Sequence, residues 1–475
     1  MSALSSVQIG RLRFDQFDSI LPPDRYAQVL EAAEHSRRLF EGRVVWNVNS
    51  TARGGGVAEM LISLLAYAHG SGVGARWQVI SGNAPFFALT KRIHNNLHSA
   101  LGDGGELGEA ERRTYEDALA PNVDEFLAMV RPGDVVIIHD PQPAGLIPPL
   151  KARLGVPVIW RCHVGSDVPS ELSRRAWNFL RPYVEPADAY VFSRRAFVWE
   201  GIDAAKIELI APVIDAFSPK NQKLDPATVA AILHVAGLNE DHDGSGEPTF
   251  HDIDGTPNRV NRPAEVWEER PLRAGDPMVL QVSRWDRLKD PLGVIRGFAD
   301  HVAPHTDAHL VYAGPSVEAV ADDPEGANVL EEARRFYRDL PLRARERVHL
   351  ACLPMVDLAE NAAIVNALQR RADVVVQKSI AEGFGLTVAE SMWKAKPVVA
   401  SRIGGIQDQI VDGRSGLLLE PSDLEGYGRA VRDLLRQPEY ACAMGREAQE
   451  RVRDEFLAVR SLLQYLALIE KLLRD

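Results

Sequence analysis

Short apolar strand patterns alternate with helical patterns along both halves of this 475-residue chain. In the first half the predicted strands cover residues 43–47, 76–80, 134–138, 156–160, 189–192 and 207–210. In the second half they cover residues 278–282, 309–313, 348–351, 374–376, 397–400 and 416–419. Strands separated by helices favour a mostly parallel sheet with both faces covered. The sequence therefore predicts an α/β fold with two similar sheet domains, joined near residues 215–275.

Three of the predicted helices can be given approximate bounds. They run from Val57 to about His69, from Asn122 to about Val130, and from Arg446 to Arg474. The last is a single long amphipathic pattern, with apolar residues at helical spacing.

Composition and charge exclude several classes of protein. Hydrophobic residues make up 45% of the chain and charged residues 25%, which is ordinary for a globular protein. A net charge of −12 argues against a nucleic-acid partner, because phosphate binding needs a basic surface. No apolar run approaches the ~20 residues of a membrane span, and the first residues lack a secretory-signal pattern. We therefore expect a cytoplasmic protein that acts away from nucleic acids and membranes.

The chain has three cysteines, Cys162, Cys352 and Cys442, each among apolar neighbours in sequence. An odd, small number of cysteines in such surroundings is unlike a disulfide framework or a metal site. We predict that all three are reduced core residues.

The segment from Glu382 to Glu390, EGFGLTVAE, places two carboxylates around a glycine turn that follows a predicted strand. Glu382 should lie in the loop after that strand, and Glu390 inside the next helix. The first N–H groups of a helix are unpaired and the helix dipole favours an anion there, which suits a diphosphate. Glu382 could then hold sugar hydroxyls and Glu390 a ribose diol. An exposed turn with two solvated glutamates explains this segment alone equally well.

A second segment makes the ligand-binding interpretation the stronger one. The predicted strand at residues 278–282 leads directly to Arg284 and Lys289, and Pro291 fits the first turn of the following helix. Strand ends of a doubly wound sheet border the ligand crevice, so both cations should face the same diphosphate.

These motifs resemble the retaining glycosyltransferases that include sucrose and glycogen synthases. Further motifs narrow the resemblance to the group of trehalose glycosyltransferring synthases and retaining trehalose phosphorylases, over roughly residues 40–450. They are WNVNST at 46–51, GGGVAEM at 54–60, FFALTKRIHN at 86–95, HDPQP at 139–143, WRCH at 160–163 and QKSIAEGFG at 377–385.

The resemblance implies the GT-B fold, two Rossmann-like domains facing a cleft, with a C-terminal helix crossing back to the first domain. The predicted parts are an acceptor-binding domain (1–215), a linker with an insertion (216–274), a nucleotide-sugar-binding domain (275–455) and the terminal helix (456–475). The resemblance also implies retention of configuration by front-face attack, with the leaving phosphate accepting the proton of the acceptor hydroxyl.

The resemblance assigns roles to particular residues. The catalytic set it implies is Arg284, Lys289, Glu382 and His163, with His163 contacting the donor glucose. The donor- and nucleotide-binding set is Gly55, Gly56, Gly383, Phe384, Gly385, Leu386, Thr387 and Glu390. The acceptor-binding set is Asp140, Asn49, Arg161 and Lys91, with His94 close by. Several of these residues also suit plain structural roles: Gly54–Gly56 as a flexible turn, Asn49, Lys91 and His94 in capping or packing, and His163 in a satisfied loop.

The stretch from about 235 to 272 departs from compact members of the group and is predicted to be an insertion. Asp241 to Asp252 within it loosely imitates a calcium-binding loop, but Pro248 opposes the exit helix and the twelfth residue is not glutamate. We favour a solvated, turn-rich loop, and its place in the chain makes it a candidate lid or subunit contact.

The predicted function is synthesis of α,α-trehalose from a nucleoside diphosphate glucose and glucose, in a reversible reaction. The alternative is a retaining trehalose phosphorylase, which would use inorganic phosphate; Glu390 favours a nucleotide, because a ribose gives that carboxylate a ligand. More distant alternatives are a nucleotide-sugar epimerase and an inactive sugar-binding protein. We predict no required cofactor and no metal site, ADP or UDP as the nucleotide, small-molecule sugar partners, and a homodimer.

Overall fold

The computed structural model describes residues 2–52, 55–317 and 324–474, and it divides into two compact units. The first unit runs to Val213 and resumes at Ala458, and the second is Ile214–Leu457. The finer division predicted from the sequence, with a separate linker and a separate terminal helix, stays a proposal.

The first unit is built on a seven-stranded sheet. Its strands are β1 (Leu4–Val7), β2 (Val44–Asn49), β3 (Gly74–Ile80), β4 (Val135–His139), β5 (Val158–Cys162), β6 (Ala189–Phe192) and β7 (Ile207–Leu209). Their order is β1-β3-β2-β4-β5-β6-β7, and every neighbouring pair is parallel except β1 with β3. The chain order reverses between β2 and β4, where Val45 pairs with Val135.

The helices of this unit cover both faces of the sheet. They are α1 (Pro23–Leu39), α2 (Gly56–Gly70), α3 (Ala84–Leu97), α4 (Glu109–Met129), α5 (Ile147–Leu154) and α6 (Glu171–Val184). The helix predicted from Asn122 begins at Glu109, thirteen residues earlier. Pro121 lies inside α4, because a proline removes one N–H donor without necessarily ending a helix.

The second unit carries its own seven-stranded sheet and a small hairpin. The hairpin is β8 (Thr249–His251) with β9 (Pro257–Arg259); the sheet strands are β10 (Glu265–Trp267), β11 (Met278–Val282), β12 (His309–Pro315), β13 (Val348–Leu353), β14 (Val374–Gln377), β15 (Val398–Ser401) and β16 (Leu417–Leu419). Their order is β10-β13-β12-β11-β14-β15-β16, parallel throughout except for β10. The chain order reverses here between β11 and β14.

Nine helices accompany this sheet within the described ranges. They are α7 (Pro226–Val235), α8 (Pro291–His301), α9 (Pro324–Asp339), α10 (Leu342–Arg345), α11 (Leu358–Arg371), α12 (Leu386–Trp393), α13 (Ile406–Gln409), α14 (Leu424–Arg436) and α15 (Pro438–Glu455). Every strand predicted from the sequence is present, with its ends within two residues of the expected ones. The two-sheet α/β architecture is therefore confirmed.

The C-terminal pattern predicted as one helix is two. After α15 the chain leaves helical geometry at Phe456 and Leu457, and α16 then covers Ala458–Arg474. Both residues are buried, and the Phe456 carbonyl accepts a hydrogen bond from the Ile214 amide at 2.9 Å. In a continuous helix that carbonyl would accept from the amide four residues later, so its bond to Ile214 marks the break between the two helices.

Helix α16 belongs to the first unit and packs against α1 and α2. Leu468 and Ile469 join Phe40, Val45 and Ile137 in one apolar cluster. The prediction of a C-terminal helix that returns to the first domain is thereby confirmed.

The cysteine prediction is partly wrong. Cys162 and Cys352 are buried, whereas Cys442 is exposed on α15 and its sulfur accepts a hydrogen bond from Arg446 at 3.0 Å. Its neighbours Ala441 and Met444 are the residues of that turn that face the core. Apolar neighbours in sequence therefore did not show that Cys442 lies on the solvent side of the helix.

The predicted insertion adds a strand to the sheet. Strand β10 pairs with β13 at the sheet edge, and the segment before it is anchored by Glu360 of α11. That carboxylate, 1% exposed, accepts hydrogen bonds from the amides of Asn261 (2.5 Å) and Arg262 (2.8 Å) and from the Arg262 guanidinium.

The segment that resembles a calcium-binding loop does not lead into a helix. Asp252, its twelfth residue, follows β8 in the hairpin and accepts a hydrogen bond from Asn258. Residues 241–252 contain no helix. The lid and subunit-contact ideas for this segment stay predictions.

Glu360 provides a test of how the insertion is held. Glu360→Ala removes a buried acceptor of three hydrogen bonds, so we expect the free energy of unfolding to fall by about 3 kcal/mol. Chemical denaturation followed by circular dichroism measures the change. Glu450→Ala, an exposed glutamate on α15, is the matched control and should change stability by less than about 0.5 kcal/mol. Equal effects of the two substitutions would contradict the anchoring role.

Candidate active site

The carboxyl ends of β11 and β14 bring the predicted cationic and acidic residues of the second unit together. The two strands are neighbours, with Leu280 opposite Val375, although nearly a hundred residues separate them in the chain. Arg284 and Lys289 follow β11, and Glu382 follows β14. Because the strand order reverses here, the loops after the two strands lead away in opposite directions, which is the arrangement at which doubly wound sheets bind their ligands.

Lys289 and Glu382, which lie in these two loops, form an ion pair. The Lys289 ammonium lies 2.5 Å from Glu382 Oε2, and Ser379 Oγ donates to the same oxygen at 3.4 Å. Their side chains are 16% and 11% exposed, so both are largely shielded and still reachable by a ligand. The sequence predicted both residues for this site without predicting that they would contact each other.

Arg284 is placed differently. Its side chain is 55% exposed, and its guanidinium donates to Asp286 Oδ2 at 2.8 Å. Asp286 also caps the short 3-10 turn Arg287–Lys289 by accepting from the Leu288 amide. Arg284 is therefore the more exposed of the two cations, and Lys289 is the more shielded.

Below the ion pair lies a buried hydrogen-bond network that sequence reasoning missed. Gln281 on β11 donates to the Lys289 carbonyl at 3.0 Å and accepts from the Lys378 amide at 3.0 Å. Gln377 on β14 donates to Ser283 Oγ at 3.1 Å and to Ser379 Oγ at 3.0 Å. Polar groups this deeply buried are costly unless paired, so the network fixes the two loops relative to each other.

A second ion pair holds the turn that carries Lys289. Lys378, 5% exposed, contacts Asp290 Oδ2. Asp290 adopts a left-handed φ of 52° and caps α8 by accepting from the Gly293 amide at 3.0 Å. The Ile380 amide also donates to the Leu288 carbonyl at 2.7 Å. The Asp-Pro start of α8 was a visible signal for this cap, whereas Lys378 had none.

The glycine turn after Glu382 leads directly into α12, as predicted. Gly385 has a φ of +82° and precedes Leu386, the first helical residue. A Cβ on Gly404 would lie 1.8 Å from the Glu382 carbonyl oxygen, so only glycine permits that approach. Phe384 is buried, and its carbonyl accepts from Gln409 at 2.6 Å. Gly383 accepts from the Gly405 amide at 2.9 Å.

Two other residues predicted in this segment point inward. Thr387 donates its hydroxyl hydrogen to Gln377 Oε1 at 2.9 Å, which ties α12 to the buried network. Glu390 is 1% exposed, with Lys220 Nζ and Gln369 Nε2 each 3.5 Å from its carboxylate. The predicted binding of a ribose by Glu390 stays a prediction.

In the first unit, Asp140, Arg161 and His163 come together at the carboxyl ends of β4 and β5. Asp140 Oδ1 accepts from the His163 amide at 2.8 Å, and the Asp140 amide donates to the Arg161 carbonyl at 2.7 Å. Asp140 has a φ of +66°, a conformation that is strained for a non-glycine residue and is often found at functional sites. Arg161 is 1% exposed and donates to Ser193 Oγ at 3.3 Å.

Burial changes the titration of this group of residues. It raises the pKa of Asp140 to about 6, although the His163 amide and the Arg161 guanidinium oppose the shift. Burial, together with Arg161, lowers the pKa of His139 to about 3. The pKa of His163 is lowered well below its usual range for the same two reasons and by the neighbouring His139. Both histidines are therefore neutral at physiological pH.

His139 is a further residue of this site that the sequence did not single out. It is 3% exposed at the end of β4, and its two ring nitrogens contact Asn47 Oδ1 (3.0 Å) and His163 Nε2 (3.3 Å). Its place beside Asp140 in the HDPQP motif was the available signal.

The remaining predicted residues of the first unit are less closely grouped. Asn49, at the end of β2, accepts from Trp77 Nε1 at 2.8 Å and donates to the Thr51 carbonyl at 2.6 Å, which is a structural role. Lys91 is exposed on α3, and the ring of His94 on the next turn packs edge-to-face against the ring of His98. Gly55 and Gly56 are exposed at the start of α2, and Gly54 lies outside the described residues.

A metal-binding cluster and a membrane-spanning helix are both absent from the described ranges. In residues 2–52, 55–317 and 324–474, no group of three or more His, Cys, Asp or Glu side chains is arranged to hold a metal ion. Over the same ranges, no helix has the length and apolar composition to cross a membrane.

Each of the two units matches a known protein family. Residues 47–199 match the family model for the N-terminal domain of trehalose synthase, and residues 265–451 match glycosyl transferases group 1. A trehalose synthase from Rubrobacter xylanophilus is 35% identical over 99% of this chain and 99% of its own length. A trehalose phosphorylase from Pleurotus pulmonarius is 26% identical over 88% of this chain and 56% of its own length.

Among solved structures, a sucrose-phosphate synthase from Thermosynechococcus elongatus has a TM-score of 0.62 to this chain at 18% identity. The match covers 91% of this chain and 99% of that one. At this identity the likeness establishes the fold, which is GT-B.

The raised pKa of Asp140 gives a prediction for stability. Ionising a carboxyl whose folded pKa exceeds its unfolded value costs folding energy, and the cost grows as pH rises from about 4 through 6. Asp140→Asn avoids that cost while keeping an oxygen for the His163 amide. We expect its free energy of unfolding, relative to wild type, to increase by about 2 kcal/mol between pH 4.5 and 7. Denaturation curves at both pH values measure this difference, and a difference independent of pH would contradict the burial argument.

Proposed function

The chain belongs to the trehalose synthase family of glycosyltransferases, and we propose that it transfers glucose from a nucleoside diphosphate glucose to free glucose, forming α,α-trehalose. The observation that carries the proposal is the Lys289–Glu382 ion pair at the reversal of strand order in the second unit. An ammonium and a carboxylate at this position can bind two adjacent parts of a nucleotide sugar, its diphosphate and its sugar hydroxyls.

Lys289 and Arg284 are proposed to bind the diphosphate. Negative charge accumulates on the leaving diphosphate as the bond to glucose breaks, and fixed cations stabilise that charge without moving. The start of α12, beyond Gly385, supplies unpaired N–H groups and the positive end of the helix dipole for the same anion. Both contributions are electrostatic, so no covalent intermediate with the protein is required.

Glu382 is proposed to orient the donor glucose by accepting hydrogen bonds from its hydroxyls. When the diphosphate binds the Lys289 ammonium, the oxygens of the Glu382 carboxylate are available to accept hydrogen bonds from the sugar. In the first unit, His163 is proposed to contact the donor glucose, and Asp140 is proposed to contact the acceptor. Above its pKa of about 6, the Asp140 carboxylate accepts hydrogen bonds from sugar hydroxyls.

Retention of configuration is proposed to follow front-face attack. The acceptor hydroxyl forms the new bond to the anomeric carbon on the face that the diphosphate leaves, and its proton passes to a leaving phosphate oxygen. The bond from that carbon to the phosphate oxygen breaks in the same event, so the products are trehalose and a nucleoside diphosphate.

The finer points of the proposal concern the nucleotide and the assembly. ADP and UDP are the proposed nucleotides, and no further cofactor is proposed. A homodimer, a cytoplasmic location and the absence of nucleic-acid and membrane partners stay predictions.

Lys289 and its neighbour Arg287 give a matched pair of variants. Lys289→Ala removes the shielded cation from the diphosphate, so we expect kcat to fall by about 100-fold or more. Arg287 lies on the same turn, but its guanidinium pairs with Glu332 at 2.6 Å, away from Glu382. Arg287→Ala should therefore stay within about threefold of wild type.

Steady-state kinetics in the synthesis direction measure both variants, with thermal unfolding as the test of folding. Arg284→Ala should also lose most turnover, since the Arg284 guanidinium is proposed to bind the same diphosphate. Near-normal turnover of a folded Lys289→Ala would remove the diphosphate assignment.

A further inference from the structure

A chain of three side chains connects the sheet of the first unit to His163. Asn47 lies on β2, His139 ends β4 and His163 follows β5, so the three occupy consecutive strands of the sheet. Asn47 Oδ1 is 3.0 Å from His139 Nε2, and His139 Nδ1 is 3.3 Å from His163 Nε2. The planes of the two imidazole rings lie within 14° of parallel.

The position of each proton follows from this chain of contacts. His139 is buried and neutral, so it carries one ring proton and has one bare nitrogen. The oxygen of Asn47 can only accept a hydrogen bond, which places the proton on His139 Nε2. His139 Nδ1 is then an acceptor, and the contact with His163 requires a proton on His163 Nε2.

The consequence falls on the second nitrogen of His163. His163 is also neutral and has a single ring proton, so its Nδ1 carries a lone pair. Nδ1 makes no hydrogen bond to any of the residues that the structure describes. We propose that Asn47 and His139 are positioning residues that hold His163 in its Nε2-protonated form, so that Nδ1 accepts a hydrogen bond from a substrate hydroxyl.

This inference rests on the proposed function for the contact between His163 and a sugar. It specifies the polarity of the contact: the hydroxyl donates and His163 accepts. With the asparagine amide reversed, every hydrogen bond in the chain would reverse too, and His163 Nδ1–H would donate to a sugar oxygen. The two directions predict different protonation of the same nitrogen.

Nuclear magnetic resonance of the full-length protein without substrate tests the direction. The protein is labelled with ¹⁵N-histidine, and the His163 signals are identified by their loss in His163→Gln. We expect His163 Nε2 to carry the proton and Nδ1 to be bare. A proton on Nδ1, or an equal mixture of the two forms, would overturn the proposal.

A pair of asparagine variants tests whether Asn47 sets the direction. Asn47→Leu removes the acceptor at the start of the chain, so the Nδ1-protonated form of His163 should increase to a visible population. Asn122→Leu is the control, because Asn122 is equally buried in this unit but its amide bonds to Ser81. It should leave His163 unchanged, and an unchanged His163 in folded Asn47→Leu would reject the role of Asn47. The wild-type spectrum decides the protonation even where a variant fails to fold.

Donor analogues test the polarity of the contact with the sugar. Each hydroxyl of the glucose is replaced in turn by hydrogen or by fluorine, which accepts but cannot donate. At the position that His163 contacts, both replacements should weaken binding by about tenfold. Binding of the fluorine analogue equal to that of the hydroxyl compound at every position would contradict an accepting His163. If no nucleotide sugar binds at all, the proposed function fails, while the protonation of His163 is decided independently by the spectrum.

Discussion

The ion pair between Lys289 and Glu382 depends on the reversal of strand order between β11 and β14. At that place two adjacent parallel strands lead into loops that diverge, and a cation after one strand lies beside a carboxylate after the other. The pair is expensive to bury, and the structure offsets that cost by keeping it partly exposed and by supporting it from below with Gln281 and Gln377. A ligand that brings its own anion and its own hydroxyls can exchange with both partners without leaving either charge unpaired.

The first unit also has a reversal of strand order, but different side chains lie near it. Its order reverses between β2 and β4. Asn47 lies within β2, His139 and Asp140 are at the end of β4, and His163 follows β5. Burial keeps the two histidines neutral and holds part of the Asp140 population protonated near pH 6. Neutral donors and acceptors suit sugar hydroxyls, whereas the charged pair of the second unit suits a diphosphate. The proposed division of roles, sugar binding in the first unit and diphosphate binding in the second, is based on this difference in side chains.

Much of this architecture could be predicted from the sequence, because strand patterns and strand-end motifs are local. The positions of Lys289, Glu382 and His163 all follow from the strand that precedes each of them. The supporting contacts could not be predicted, because they join distant residues: Gln377 and Ser283 are 94 residues apart, and Glu390 meets Lys220 across a still longer stretch of chain. A glutamine inside an apolar strand gives no sign of its partner. Likewise, the break before α16 coincides with a hydrogen bond between Phe456 and the distant Ile214, which helical periodicity does not reveal.

The most direct test of the proposed function is the reverse reaction on purified protein. The protein is incubated with α,α-trehalose and either ADP, UDP, GDP or inorganic phosphate, and the sugar products are resolved by chromatography. We predict a nucleoside diphosphate glucose and free glucose from at least one nucleotide, and no product from phosphate. Glucose 1-phosphate formed from phosphate alone would contradict the proposed function, because the site at Lys289 and Glu382 would then serve a phosphorylase.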